Sequence, residues 1–170
     1  VRRQRQMCIR DSGTPVQSYN EKNAFKETAG GYGSGYCYID GLAFDKNGNL
    51  WMTSSEVNHA VLVLDKAGAW HRLDIEQLRG VYTINDILIT STNDKWIYVP
   101  RNTPKLVMIP NSESLDEVSS YEFTTLIDTD GKELTPSNYT CVAEDKDGYI
   151  WVGTNRGAVY FTKPRISSAE

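Results

Sequence analysis

The chain consists of short apolar segments that alternate with polar turns rich in Gly, Asn and Asp. Segments such as LWMTSS, AVLVLDK, KWIYVP and KLVMI have the length and the β-branched and aromatic content of strands, and they are too short for most helices. Helical spacing occurs in LDIEQLRG (residues 73–80), which allows one or two turns at most. The pattern therefore predicts an all-β protein.

A turn followed by a strand that carries a tryptophan occurs three times. Residues 44–55 (FDKNGNLWMTSS) align without a gap with residues 144–155 (EDKDGYIWVGTN), and residues 89–100 (ITSTNDKWIYVP) fit the same frame. Because Gly and Asn accept a positive φ most readily, all three copies are expected to form the same left-handed turn. We assign this motif a structural role, and its members are Asp45, Gly48, Trp51, Asn93, Trp96, Asp145, Gly148, Trp151, Gly153, Thr154 and Gly157.

The spacing of the motif is typical of a β-propeller. Its tryptophans lie 45 and 55 residues apart, as expected for consecutive blades with an insertion in the second one. We therefore predict a partial β-propeller of about two and a half to three four-stranded antiparallel blades. Because a propeller closes with about four to eight blades, the chain is expected to be a fragment of a larger propeller.

The same pattern predicts the boundaries of the segments. Residues 37–80 are expected to form a blade, residues 81–137 a blade with an insertion, and residues 138–170 an incomplete blade. We interpret residues 12–36 as the end of a preceding blade and a Gly-rich connection, with an outer strand over residues 15–25. The connection, GGYGSGY, has neither the glycine spacing nor the following helix of a dinucleotide-binding fingerprint.

The first eleven residues, VRRQRQMCIRD, are strongly basic and unlike the rest of the chain. Back-translation gives the transposase adapter used in sequencing libraries, so we interpret residues 1–11 as an adapter artefact with no fold. The alternative is a basic arm that binds nucleic acid or targets an organelle. On the adapter interpretation the true protein starts upstream, and its signal peptide is presumed lost by truncation.

Charge and hydropathy limit the possible partners. Without residues 1–11 the formal net charge moves from −4 to −7, because four Arg and one Asp are removed. An acidic chain argues against nucleic acid as a partner, since phosphate binding needs clustered Lys and Arg. No run of about 18 apolar residues is present, so no membrane span is expected in this sequence. Cys37 and Cys141 follow no motif and are expected to be buried free thiols.

We predict no catalytic constellation, no metal site and no cofactor. His59 and His71 are the only histidines, and neither has a neighbouring nucleophile motif. The turns DTDGKE and DKDG resemble calcium loops, but Leu126 and Ala143 stand where an EF-hand needs its first acidic ligand. These segments are therefore expected to be tight turns, and the protein is expected not to be an enzyme.

The aromatic residues allow two interpretations. Recurrence of Trp51, Trp96 and Trp151 at one blade position favours packing between neighbouring blades over a platform on which sugars stack. Three aromatics outside the motif are candidates for a ligand face: Tyr32, Tyr36 and Trp70.

The sequence Trp-[Ile/Val]-Gly-Thr after Asp-x-[Asp/Asn]-Gly resembles the two-component regulator propeller repeat. Residues 145–164 are a close copy, DKNGNLWMTSS lacks the Gly-Thr, and STNDKWIYVP is degenerate. Over residues 41–164, the order of INDILITSTNDKWIYVPR, YEFTTLIDTDGKEL and YTCVAEDKDGYIWVGTNRGAVYF is similar to the N-terminal β-propeller region of PorZ-type proteins. Those proteins belong to the type IX secretion system of Bacteroidetes.

The resemblance implies a non-catalytic binding module in the periplasm or at the cell surface. Its implied partners are proteins of an outer-membrane or periplasmic complex, together with anionic polysaccharide or lipopolysaccharide. The alternative is a periplasmic glycan-sensing propeller of a hybrid two-component histidine kinase, because the same repeats build such sensors. The degenerate second copy and its insertion favour the first interpretation.

Overall fold

The computed structural model describes residues 17–28 and 36–162, which form thirteen strands and two short helical turns. Three antiparallel sheets contain most of the strands, and we call them blades A, B and C. Blade A consists of β1 (Ile39–Phe44), β2 (Leu50–Ser54), β3 (Val61–Leu64) and β4 (Trp70–Leu73), and blade B of β5 (Ile87–Ile89), β6 (Lys95–Val99), β7 (Lys105–Ile109) and β8 (Tyr121–Phe123). A hairpin of β9 (Leu126–Ile127) and β10 (Glu133–Leu134) precedes blade C, which consists of β11 (Tyr139–Glu144), β12 (Ile150–Thr154) and β13 (Gly157–Phe161).

Within the described residues, blades A and B have four strands each and blade C has three. Consecutive strands pair in every blade, so each sheet is a simple meander. This architecture confirms the predicted all-β partial propeller.

The turn between the first two strands of each blade has the same conformation in all three copies. Gly48, Asn93 and Gly148 have φ values of 85°, 69° and 82°. The predicted left-handed turn is therefore confirmed, including the copy in which Asn replaces Gly.

Burial along the second strand of each blade reveals how the sheets stack. All five residues of β6 are buried, so both faces of blade B are covered. On β12 only one face is covered, because Ile150 and Val152 are buried whereas Trp151 is 41% exposed. The sheets therefore stack in the order A, B, C, with blade B between the other two.

Two hydrophobic clusters fill the spaces between the blades. Trp51 of blade A packs with branched side chains of blade B such as Ile97 and Val107. Trp96, on the opposite face of blade B, packs with Ile150 of blade C. Each interface thus contains one motif tryptophan, and neighbouring sheets share a core that neither forms alone.

The N-terminal segment forms a π-helical turn at Glu21–Phe25, so the outer strand expected over residues 15–25 is wrong for these residues. Asn20 and Asn23 cap the turn reciprocally, because the side chain of each accepts a backbone N–H. Such local bonding favours a turn over a strand. Phe25 is buried against the face of blade A that blade B does not cover.

Some expectations lie outside the described residues, namely those on residues 1–11 and on all but the last position of the connection at 30–36. In the described part of the chain, no helix has the length and apolarity needed to cross a membrane.

Blades A and B approach each other closely at Gly41. A β-carbon there would lie 2.8 Å from the backbone nitrogen of Ile87 and 2.9 Å from the Cα atom of Asp86. At Gly153 a β-carbon would instead meet the ends of two β11 side chains, each at 2.6 Å. Side chains can rotate away, whereas the backbone of β5 can move only if the blades separate.

We therefore expect Gly41→Ala to lower the free energy of unfolding by about 1–3 kcal/mol, as overpacking of a core does. Gly153→Ala is the matched control and should lower it by less. Urea unfolding followed by tryptophan fluorescence measures both variants. Equal losses would contradict the argument that backbone contact at Gly41 sets the distance between the blades.

Candidate functional site

Each motif turn is organised by the residue at its aspartate position. In blade A, Asp45 Oδ1 accepts the backbone N–H groups of Asn47 and Asn49 at 2.9 and 2.8 Å. Its Oδ2 accepts the Asn49 side-chain amide and the Trp51 indole N–H, both at 2.9 Å. One carboxylate therefore fixes both the left-handed turn and the orientation of the tryptophan ring.

The electrostatic surroundings of Trp51 come from two blades. Burial by itself would raise the pKa of Asp45, but the hydrogen bonds from Trp51 and Asn49 outweigh it and hold the pKa below its usual range. Lys95 of blade B places its ammonium 4.4 Å from the centroid of the Trp51 ring. Burial lowers the pKa of Lys95, and the carboxylates of Asp45 and Asp94 oppose that shift. Trp51 thus contacts an anion of its own blade at the ring edge and a cation of the next blade over the ring face.

Blade C repeats the aspartate–tryptophan bond on an uncovered face. The indole N–H of Trp151 donates to Asp145 Oδ2 at 2.8 Å, and this bond is the main cause that holds the pKa of Asp145 below its usual range. Trp151 stacks on Tyr160 with 5.0 Å between the ring centroids. Both rings belong to the face of blade C opposite to blade B.

Blade B departs from the motif because Thr90 occupies the aspartate position. The Thr90 hydroxyl accepts the backbone N–H of Asp94 at 3.0 Å and bonds to the Thr92 hydroxyl at 2.9 Å. The indole N–H of Trp96 is buried and has no hydrogen-bond partner among the described residues. The sequence revealed a degenerate copy, but it did not reveal the unpaired donor, since that depends on burial from both sides.

The Gly and Thr residues of the third copy shape the turn between β12 and β13. Thr154 Oγ1 donates to the carbonyl of Gly157 at 2.8 Å and accepts the N–H of Arg156 at 3.0 Å. Gly157 has a φ of 111°, which residues with a β-carbon rarely adopt. Gly153 allows β12 to lie close to β11. Gly153, Thr154 and Gly157 therefore shape the β12–β13 turn and its packing on β11.

The candidate ligand-face aromatics have different surroundings. Tyr32 lies outside the described residues, and Tyr36 is 49% exposed. Trp70, on β4, meets the rings of Tyr19 and Phe25 edge-on, with centroids 5.1 and 5.6 Å away. Its ring therefore helps to pack the N-terminal segment on blade A.

His71 connects blade A to the long β7–β8 loop of blade B. Its Nδ1 lies 3.0 Å from Asp116 Oδ1, and its Nε2 lies 3.1 Å from Asp65 Oδ2. These two hydrogen bonds, that of Asp116 first, raise the pKa of His71 above its usual range. His59 pairs with Glu27 of the N-terminal segment. Both histidines thus join separate segments of the chain through carboxylates.

Within residues 17–28 and 36–162, no group of three or more His, Cys, Asp and Glu side chains has the geometry of a metal site. Cys37 and Cys141 are free thiols, but Cys37 is only partly buried and Cys141 is exposed, so the expected burial is wrong for Cys141.

Sequence comparison identifies one repeat of the chain. The two component regulator propeller family matches residues 133–156, which contain the third copy of the motif. No curated protein sequence matches the chain significantly.

Comparison of structures extends the similarity to most of the chain. PorZ, an essential surface component of the type IX secretion system of Porphyromonas gingivalis, superposes with a TM-score of 0.78 and 17% identity, over 88% of this chain and 21% of PorZ. Virginiamycin B lyase from Staphylococcus aureus gives 0.50 and 17%, over 78% of this chain and 43% of the lyase. The extracellular domain assigned to a hybrid two component system of B. thetaiotaomicron gives 0.47 and 14%, over 91% and 27%.

The similarities to PorZ and to the lyase establish the propeller fold. The chain spans about a fifth of the length of PorZ and less than half of the length of the lyase. Together with the repeat match, they confirm a regulator-type propeller that resembles PorZ.

The Asp45 carboxylate should stabilise the fold in a pH-dependent way. Because its folded-state pKa is depressed, the contribution is complete above the unfolded value of about 3.9 and is lost as pH falls through the lower folded value. We expect Asp45→Asn to cost about 2 kcal/mol at neutral pH, since an amide cannot accept all four hydrogen bonds. Urea unfolding at several pH values measures this.

Asp145→Asn provides the matched control for that experiment. It removes the same bond on an exposed face and should therefore cost less than Asp45→Asn. A cost for Asp45→Asn that stays constant from neutral pH into strong acid would contradict the assignment to an ionised carboxylate.

His71 should make the junction of blades A and B sensitive to pH in the opposite direction. Because its folded-state pKa is raised, its stabilisation is complete below the unfolded value of about 6.5 and is lost as pH rises through the higher folded value. The melting temperature should therefore decline as pH rises above about 6.5, and His71→Gln should weaken this decline. His59→Gln is the control, and an unchanged profile in His71→Gln would refute the assignment.

Proposed function

We propose that the chain is part of a non-catalytic extracytoplasmic β-propeller module that binds surface polysaccharide or partner proteins as a PorZ-like secretion component. The observation that carries the proposal is the superposition with PorZ over 88% of the chain. The order of the conserved and degenerate motif copies, and the insertion between blades B and C, support the same role.

The chemistry of the described residues supports binding rather than catalysis. The motif carboxylates are engaged in turns, as the four hydrogen bonds to Asp45 illustrate. Both histidines pair with carboxylates that connect chain segments. Faces of blades and the loops between them therefore remain as the surfaces for contact with proteins or glycans in the periplasm or at the cell surface.

A second candidate function is a periplasmic glycan sensor of a hybrid two-component histidine kinase. The match of residues 133–156 to the two component regulator propeller repeat favours it, since that repeat is named for such systems. In this case ligand binding by the propeller would be transmitted to a membrane helix and a kinase.

Reading the complete gene distinguishes the two roles. For the PorZ-like role we expect a second propeller followed by a secretion-type C-terminal domain and a stop codon. A membrane helix followed by a kinase core would replace this proposal with the sensor. The same reading tests the adapter interpretation, because an independently cloned copy should lack the codons of residues 1–11.

The structural similarity to virginiamycin B lyase provides a direct test of the non-catalytic assignment. We expect no conversion of quinupristin by the purified chain, followed by liquid chromatography with fragmentation mass spectrometry, with the active staphylococcal lyase as the positive control. The appearance of the lyase product in the chain sample, and its absence in buffer alone, would make the protein an enzyme.

A further inference from the structure

An open crevice separates the motif turns of blades B and C. It encloses about 280 Å³. Thr90 and Thr92 line it from the β5–β6 turn, Lys146 and Asp147 line it from the β11–β12 turn, and the buried Trp96 borders it. We call this space crevice B–C.

The corresponding turns of blades A and B are bridged directly. Lys46 in the turn of blade A donates its backbone N–H to the Asn93 side chain at 3.0 Å, and its ammonium donates to the Ser91 carbonyl. The Lys95 ammonium lies beside the Trp51 ring, 4.4 Å from its centroid. An amide, two ammonium groups and the Asp45 carboxylate thus occupy the space between these turns.

Three substitutions remove this arrangement between blades B and C. Thr90 of blade B stands where blade A has Asp45. Gly148 and Ile150 of blade C stand where blade B has Asn93 and Lys95, respectively. The remaining bridge is the Glu144 carboxylate, which accepts the backbone N–H of Ser91 at 2.6 Å and also its hydroxyl. Loss of the three polar side chains explains why this crevice is open.

The indole N–H of Trp96 gives crevice B–C an unmet hydrogen-bond donor. Trp96 is 0% exposed, and its Nε1 has no partner in the described part of the chain. In blades A and C the same N–H donates to an aspartate. The Thr90 side chain has one heavy atom fewer than Asp, and its hydroxyl is already engaged. An acceptor supplied from outside would therefore relieve an unfavourable buried donor.

The charges around the crevice select against an anion. Asp94, Glu144 and Asp147 supply three carboxylates, against the single ammonium of Lys146. Asp94 and Glu144 already accept backbone N–H groups. Asp147, with a side chain that is 62% exposed, can accept from a ligand. A suitable ligand is uncharged and carries both donors and acceptors.

The volume of crevice B–C limits the size of the ligand. A space of about 280 Å³ is at the lower end of small-molecule sites and suits one ring rather than a chain. A pyranose ring has the required size, is neutral, and carries several hydroxyl groups that both donate and accept.

We propose that crevice B–C binds a single neutral sugar residue. One sugar oxygen accepts the Trp96 N–H in the place that the Asp carboxylate takes in blades A and C, and a sugar hydroxyl donates to Asp147. Lys146 donates to a further sugar oxygen, whereas the Thr92 hydroxyl is engaged with Asp94 at 2.6 Å. This inference rests on the proposed function as a binding module and assigns a ligand class to one defined site.

Nuclear magnetic resonance of the 15N-labelled chain tests the proposal directly, because the four Trp residues give four indole signals. Methyl α-D-glucopyranoside, methyl α-D-mannopyranoside and N-acetyl-D-glucosamine serve as neutral probes, and D-galacturonate serves as the anionic one. We expect at least one neutral probe to shift the Trp96 signal saturably at millimolar concentration, with little effect from galacturonate. No shift by any neutral probe, or a shift by galacturonate alone, would overturn the proposal.

Two variants test whether the Trp96 N–H itself contributes to sugar binding. Thr90→Asp restores the motif carboxylate beside Trp96 and should weaken sugar binding by at least about tenfold. Thr92→Asp adds the same charge at a position where blade C naturally has Asp147, and it should retain most of the affinity. Equal weakening in both variants would contradict the role of the Trp96 N–H. The large shift of one indole signal in Thr90→Asp also assigns Trp96 if Trp96→Phe does not fold.

The outcome is independent of the test of the proposed function. A chain that binds no sugar could still come from a gene with PorZ-like domain order, and then only the sugar site is wrong. A chain from a gene of a different kind that binds sugar would retain the site and lose the PorZ-like role.

Discussion

The packing of a motif tryptophan between two sheets is the interaction on which the rest of the structure depends. Each blade is too small to form its own core, and the indole ring supplies the largest apolar surface in each shared interface. In blade A the turn carboxylate of Asp45 holds the ring, so the left-handed turn, the strand after it and the next blade are linked through one side chain. Where Thr90 replaces that acid, the ring is held by packing alone, in a cluster with Phe123 and Phe161.

Each of the two interfaces packs a motif tryptophan between neighbouring blades, but the groups around the tryptophan differ. Between blades A and B, the Asp45 anion accepts the Trp51 indole N–H at the edge of the ring and the Lys95 cation lies over its face, so the charges compensate one another within a largely buried space. Between blades B and C both charges are absent, and the interface contains two unpaired buried donors, Trp96 Nε1 and the Tyr139 hydroxyl, within the described residues. Burial raises the pKa of Tyr139 to about 12. The second interface is therefore largely apolar, and it leaves two buried donors without partners in the described part of the chain.

The fold could be predicted because a local sequence repeat specifies it. The positions of Gly48, Asn93 and Gly148 fixed the turn, and the tryptophan spacing fixed the blades. The site could not be predicted in the same way. Whether the Trp96 N–H is paired depends on Thr90 and on burial by a blade more than 40 residues away in sequence, and no local pattern carries that information. The π-helical turn at Glu21–Phe25 was missed for a different reason, since two Asn side chains override an apolar spacing that suits a strand.

Stacking in one direction has a consequence for the way such a protein is synthesised. Each blade conceals the aromatic face of the blade before it and presents its own, as Trp151 and Tyr160 do on blade C. A chain that leaves the ribosome from its N-terminus therefore exposes one aggregation-prone aromatic face at every stage, and the next blade is needed to cover it. The length of each repeat sets the time between the synthesis of one blade and that of the next. Trp96 and the next motif tryptophan are 55 residues apart, rather than 45, because the insertion with β9 and β10 lies between them. Trp96 is therefore exposed for longer. Chaperones that recognise exposed aromatic surface would meet the nascent chain most often at this one junction.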